Sequence, residues 1–219
     1  MELWHCADAR SFRVLWMLEE MGLPYRLHLL PFPPRRLAPD YLAINPLGTI
    51  PFFRDGQAEM TESAGIVHYL ATRYGPTPLA VAPDEPDYAA FLNFLHQSDA
   101  TLTFPQTIVF RYRLLEPEER RQPRVADDYA KWFLARTVWL DRALSDGRAW
   151  LAAGRFTAAD VAVGYAFLLA GHLGLLSEVS PAIRAWWERC CHRPAFARAK
   201  AAQQGDAAPT GPAPNARQG

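Results

Sequence analysis

The chain has 219 residues, 23 basic and 23 acidic side chains, no formal net charge at pH 7 and hydrophobic residues at half of its positions. It is long and apolar enough to bury one or two cores, which excludes a disordered or fibrous chain. Neither charge sign dominates and no long run of one sign occurs, so neither a nucleic acid nor a membrane is expected as a partner, and a small molecule is.

Glu2 to Cys6 predicts a short first strand, and Phe12 to Met21 then takes helical spacing through Val14, Leu15, Leu18 and Met21. Gly22 and Pro24 end that helix. The alternation through Tyr25, Leu27 and Leu29 predicts a second strand, so the opening reads as a βαβ unit. Across PFPPRRLAPDYLAI the proline cluster forbids regular structure, with at most a short helix at Tyr41-Leu42-Ile44, and Arg35 and Arg36 read as solvated loop charges.

The stretch from Asn45 to Ser63, NPLGTIPFFRDGQAEMTES, organises the rest. Ile50-Pro51-Phe52-Phe53 has strand composition, Asp55-Gly56 signals a two-residue turn, and Gln57 to Thr61 returns antiparallel. Proline cannot donate to a sheet ladder, so Pro51 belongs at a strand entry, on an edge, or at a bend preceded by a cis bond. The main chain of Ile50 is then available to an extended ligand. Glu62-Ser63 opens a helical pattern through Ile66, Val67, Leu70 and Tyr74, whose first N–H groups face whatever lies beside that edge. A free edge, a carboxylate, a hydroxyl and a helix start suit a short zwitterionic peptide; an ordinary hairpin with a helix cap is the alternative.

After Tyr74, five of the twelve residues in GPTPLAVAPDEP are Gly or Pro, which places a linker at residues 77–86 between domains 1–76 and 87–200. From Asp87 on the pattern is helical: Phe91, Leu92, Leu95 and Leu102, then Tyr129, Trp132, Phe133, Trp139 and Leu140, with Pro86 and Pro123 as helix openers. Phe156-Thr157-Ala158-Ala159-Asp160-Val161 spells a complete capping box with a hydrophobic staple, opening a central helix that is apolar nearly all round. Residues 201–219, rich in Ala, Gly, Pro and Gln, read as a disordered tail.

Three cysteines, Cys6, Cys190 and Cys191, two of them adjacent, argue against a secreted disulfide framework and for a reducing, cytoplasmic setting. MELWHC lacks the basic region of a secretory signal, and the apolar run Val161 to Leu176 is shorter than the roughly 20 residues a spanning helix needs. Cys190-Cys191-His192 has no CxxC partner, and neighbouring helix positions diverge by about 100 degrees, so no metal site is expected. Dinucleotide, P-loop and hydrolase motifs are absent from the sequence.

The run NPLGTIPFF...ES resembles the glutathione-binding half of the cytosolic glutathione S-transferase superfamily, and ARSFRVLWMLEE is similar to the bacterial members whose first helix begins SRSxRVLWxLEE. The resemblance covers residues 1 to about 200 and implies a thioredoxin-like βαβ-α-ββα domain followed by an all-helical one. It implies that Ile50 pairs through its main chain with the cysteinyl part of glutathione beside Pro51, and that Glu62 and Ser63 hold the γ-glutamyl end. The FTAADV box is similar to a structural box of that family's helical domain.

The chain departs from its relatives where thiol chemistry is concerned. They carry serine where this chain has Ala9, another class carries cysteine at the position of Arg10, and many have a basic residue where Thr49 stands. Ser11 is the nearest hydroxyl and Arg10 the nearest cation, so these two are the candidates for lowering the thiol pKa, with a helix cap as the other reading of Ser11. Cys6, late in a core strand, reads as buried and inert rather than redox-active. Phe12, Phe104 and Ile108 are the candidate walls of a hydrophobic substrate pocket.

The implied activity is addition of the glutathione thiolate to small hydrophobic electrophiles by a homodimer, with glutathione as co-substrate and no metal. A glutathione-dependent disulfide reductase or peroxidase is the enzymatic rival, and a non-catalytic interaction module of the same fold is the other.

Overall fold

The computed structural model describes residues 1–205. Strand β1 (Glu2–His5) leads into helix α1 (Phe12–Met21) and then β2 (Arg26–Leu29), which runs parallel to β1 with Glu2 opposite Arg26 and His5 opposite Leu29. The expected βαβ unit is therefore formed. Helix α1 is enclosed without interruption from Phe12 to Leu18.

In the proline-rich segment, Pro34–Leu37 forms a one-turn helix, α2, and Pro39–Ala43 a 3-10 turn. The expectation that prolines forbid regular structure here is corrected: Pro34 occupies a first helical position, where the missing N–H has no intrahelical role.

Strand β3 (Phe52–Asp55) pairs antiparallel with both β1 and β4 (Ala58–Met60), giving the sheet order β2-β1-β3-β4. Two expectations are corrected here. The strand begins after Pro51 rather than at Ile50, since proline has no N–H for the ladder. And β3 is interior, so the sheet's free borders are β2 and β4, not the proline-bearing strand. Asp55 pairs with Ala58, so the two-residue turn is Gly56-Gln57, one position later than Asp55-Gly56, with Gly56 at a φ of 59°.

Helix α3 (Ser63–Arg73) follows, then α4 (Tyr88–Gln97), α5 (Phe104–Phe110), α6 (Pro123–Arg136), α7 (Val138–Leu144), α8 (Ala158–His172), α9 (Pro181–Cys191) and α10 (Pro194–Ala202). Asp87 holds the N-cap position of α4 without a side-chain cap, so Pro86 precedes the helix rather than opening it. Between α4 and α5, Ser98–Thr103 is wound as a wider π-helical segment, next to Pro105, which cannot donate to the ladder. Beyond α4 the extended structure among the described residues is a single isolated bridge, Ala152 with Arg155.

The chain divides into two compact units, 1–66 with the residues from Pro194 onward, and 67–193. The division falls within α3, and it assigns α10 to the first unit. The reason is packing: Phe196 lies edge-on against Phe12 at 5.4 Å and Trp16 at 5.0 Å. The first unit is a thioredoxin-like sheet with its helices; the second is helical.

In the second unit α8 is buried from Ala158 through Phe167. Its start is the expected box: Thr157 Oγ1 accepts from the Ala159 N–H at 3.3 Å, and Asp160 Oδ2 accepts from the Thr157 N–H at 2.9 Å. Of the segment expected to be a disordered tail, residues 201–205 are ordered: α10 runs to Ala202 and Gln203 is buried. Residues 206–219 lie outside the described residues. No helix among the described residues is long and apolar enough to cross a membrane.

Candidate functional site

The hairpin register brings the predicted ligand-binding residues together. Strand β3 runs antiparallel to β4, so its start, just after Pro51, lies beside the end of β4 from which the chain leads through Glu62 to Ser63. It also runs antiparallel to β1, with Trp4 opposite Phe52, so the same end of the sheet holds Cys6, where the chain turns toward α1. The starts of α1 and α3 and the Ile50–Pro51 bond thus share one end of the sheet.

The Ile50–Pro51 peptide is cis. What places it is a preceding turn that sequence reasoning did not single out. Asn45 Nδ2 donates to the Thr49 carbonyl at 2.8 Å, the Tyr41 hydroxyl donates to the same oxygen at 2.7 Å, and Asn45 Oδ1 accepts from the Leu47 N–H at 3.1 Å. Gly48 has a φ of 61°, and a Cβ there would stand 2.9 Å from Leu42 and 3.0 Å from Arg35. Ile50 lies outside β3, its side chain packs against the cluster of Trp4, Tyr41 and Phe52, and among the described residues its main-chain groups enter none of the loop or turn hydrogen bonds.

At the start of α3 the Ile66 N–H donates to the Glu62 carbonyl at 2.8 Å, so the N–H groups of Ser63, Ala64 and Gly65 have no partner within the helix. Glu62 is exposed, whereas Ser63 is buried. Its hydroxyl accepts from Nη1 of Arg13 at 2.8 Å, and Arg13, on α1, is wholly enclosed. Arg13 was also missed. A signal existed: Trp16 and Met17, three and four positions on, share its helix face, which makes Arg13 a charge on an apolar side.

The loop from β1 to α1 departs from expectation. Ser11 is fully buried, its Oγ accepting from the Cys6 N–H at 3.3 Å and lying 3.5 Å from the Cys6 carbonyl. The hydroxyl therefore closes the turn instead of facing a ligand, and its proposed thiol-activating role is corrected. Arg10 is half-buried. Burial pushes the Cys6 thiol up to about 12, and its Sγ lies 3.6 Å from the Pro31 carbonyl. Asp8 holds a left-handed φ of 52°, bound through Oδ1 by Lys200 Nζ at 2.6 Å and Gln203 Nε2 at 2.7 Å. Gln203 Oε1 also accepts from the Asp8 N–H and meets Nε2 of the buried His5, both at 3.1 Å. Burial lowers the His5 pKa to about 4, leaving the ring neutral.

Among the candidate pocket walls, Phe12 is wholly enclosed between Trp16 and Phe196, so it belongs to the core. Phe104 is 46% exposed, edge-on to Tyr129, and Ile108 is half-buried. Among the described residues no group of three or more His, Cys, Asp or Glu is placed to hold a metal ion.

A thioredoxin-like unit with a cis-proline turn beside a Ser-opened helix, joined to a helical unit, defines the class. The glutathione S-transferase N-terminal domain model matches residues 9–73, and the glutathione S-transferase C-terminal domain model matches residues 107–194. The chain belongs to the glutathione S-transferase superfamily.

Among its relatives, glutathione S-transferase GstB of Escherichia coli is 29% identical over 188 residues, 84% of this chain and 88% of that one. Glutathione S-transferase 3 of Schizosaccharomyces pombe is 35% identical over 103 residues, which span 46% of this chain and 41% of that protein. The bacterial transferase BphK, solved as a ternary complex, superimposes with a TM-score of 0.81 at 22% identity, covering 93% of this chain and 100% of its own. A sphingomonad glutathione S-transferase solved with glutathione gives 0.80 at 23% identity over 94% and 100%. Ure2p in complex with glutathione gives 0.79 at 19% identity over 92% and 93%. These solved structures share the fold.

Proposed function

We propose that this protein binds glutathione at the sheet end formed by Ile50, Pro51, Glu62 and Ser63 and adds its thiolate to small hydrophobic electrophiles. The observation that carries the reading is the register: one end of one sheet holds a main-chain segment outside the ladder and a helix start with three unpaired N–H groups. An extended peptide matches the first, and its terminal carboxylate matches the second. Relatives solved with glutathione support the choice of peptide. With Ser11 enclosed, the sulfur is left to Arg10 and the first turn of α1, where positive charge favours the thiolate. Cytoplasmic location and a homodimer belong to the same proposal.

Calorimetric titration of glutathione into the wild type and into Glu62→Ala/Ser63→Ala tests the site. Binding is expected to weaken by at least tenfold, and equal affinity in both would remove it. A second reading, glutathione-dependent reduction of disulfides or peroxides, draws on the same enclosed Ser11 and on Ala9, which has no hydroxyl. Turnover of a mixed disulfide and of an aromatic halide, assayed side by side, separates the two. Glutathione binding with neither turnover would leave the interaction-module reading.

A further inference from the structure

We infer that Arg13 is a positioning residue that sets the polarity of the Ser63 hydroxyl and thereby makes the start of α3 selective for a carboxylate. The inference rests on the glutathione reading above and adds a residue to its site. Arg13 sits 50 positions from Ser63 in sequence, is wholly enclosed, and donates from Nη1 to Ser63 Oγ at 2.8 Å. A guanidinium carries five donors, has no acceptor and stays protonated at any working pH. In this pair the serine oxygen must therefore accept.

The consequence lies in where the remaining proton points. A hydroxyl has one O–H, and with the guanidinium occupying an oxygen lone pair that O–H is turned away from Arg13. The neighbouring N–H groups of Ser63, Ala64 and Gly65 also donate and lack helical acceptors. Apart from the exposed Glu62 carboxylate, which is left to the ammonium, the polar groups presented there are donors, with the positive end of α3 around them. Such a corner accepts a carboxylate and repels an ammonium. The zwitterionic end of the tripeptide carries both groups, so Arg13 decides which of them is seated at the helix.

The test is calorimetry on the full chain with two probes: glutathione, and γ-aminobutyryl-cysteinyl-glycine, which lacks the α-carboxylate of the glutamyl residue. Arg13→Met and Ser63→Ala are each expected to weaken glutathione by about 10- to 100-fold, the scale of hydrogen bonds to a charged group. The double variant is expected to be no weaker than either single one, because the two residues act as one unit. Arg13→Lys, which keeps a charged donor, is expected to recover most of the affinity, and the decarboxylated probe is expected to bind all variants alike. Glutathione affinity unchanged in Arg13→Met, equal weakening of both probes, or losses that multiply in the double variant would overturn the inference while leaving the glutathione site standing. Absence of glutathione binding by the wild type overturns both. Should Arg13→Met not fold, judged by urea unfolding, Arg13→Gln, neutral and closer in polarity, carries the same comparison and is expected to lower the preference for glutathione over its analogue by about tenfold.

Discussion

Replacing Asp160 with alanine removes the acceptor on which three buried N–H donors converge. Its Oδ1 accepts from the Leu151 N–H at 3.1 Å and the Trp186 indole N–H at 2.9 Å. Its Oδ2 accepts from the Thr157 N–H at 2.9 Å and the Thr157 hydroxyl at 3.2 Å. Leu151, Thr157 and Trp186 are all fully buried, so solvent does not reach the orphaned groups without rearrangement. Each buried unsatisfied donor costs about 1–3 kcal/mol, and the hydroxyl can rotate, so the three N–H groups together lose about 3–6 kcal/mol after partial relaxation. That is a large share of the roughly 5–15 kcal/mol that holds a domain folded. Asparagine keeps the shape and serves the donors at Oδ1 but presents an amide to the Thr157 N–H, so about half the loss is expected. Urea unfolding followed by tryptophan fluorescence, at unchanged m, reads both values. A loss below about 1 kcal/mol for alanine, or an asparagine variant as damaged as alanine, would refute the reasoning. A pH series adds a second reading. Burial raises the Asp160 carboxyl to about 6 from 3.8. The folded protein therefore holds that proton more tightly, and stability present below pH 4 is lost as pH rises through 6, by up to about 3 kcal/mol. Asp160→Asn is expected to lack this slope.

His5 makes the opposite contribution. Its pKa falls from 6.5 to about 4 on burial, so its stability is complete above pH 6.5 and is lost as pH falls toward 4, by about 3 kcal/mol. Because this slope opposes that of Asp160, the two largely cancel in the wild type, and His5→Asn, which keeps the Asp160 slope alone, is expected to lose about 3 kcal/mol relative to the wild type as pH rises from 4 to 6.5. Asn45→Ala strands the Leu47 N–H and weakens the hold on the Thr49 carbonyl. It is expected to cost about 1–3 kcal/mol and to weaken glutathione more than it weakens the fold of the second unit; intact affinity would deny the turn its part in placing Ile50. Thiol titration of the native protein is expected to show one readily reactive cysteine, Cys191, because Cys6 and Cys190 are buried and burial raises both their pKa values. Rapid reaction of Cys6 would contradict its placement.

Residues close in sequence carried most of what was legible. The βαβ opening, the hairpin, the helix that starts at Ser63 and the Thr157 box all depend on neighbours within about five positions, and propensity, turn chemistry and capping act at that range. Errors arose where covering mattered. Phe12 and Ser11 looked like site residues because they stand at a helix start, yet both face the core. Periodicity shows that a face is apolar and is silent on what will lie against it.

By itself the amino-acid order determined which segments wind or extend, where the proline must stand, and which acid and hydroxyl open the third helix. Only the folded chain decided that the strand following the proline lies inside the sheet, that the last helix reaches back to lock Asp8 through Gln203, and that a buried arginine on the first helix grips Ser63. The long-range pairs among them join residues 48 to 195 positions apart. Such pairs depend on sheet register and close packing, which a one-dimensional pattern of hydrophobicity does not encode.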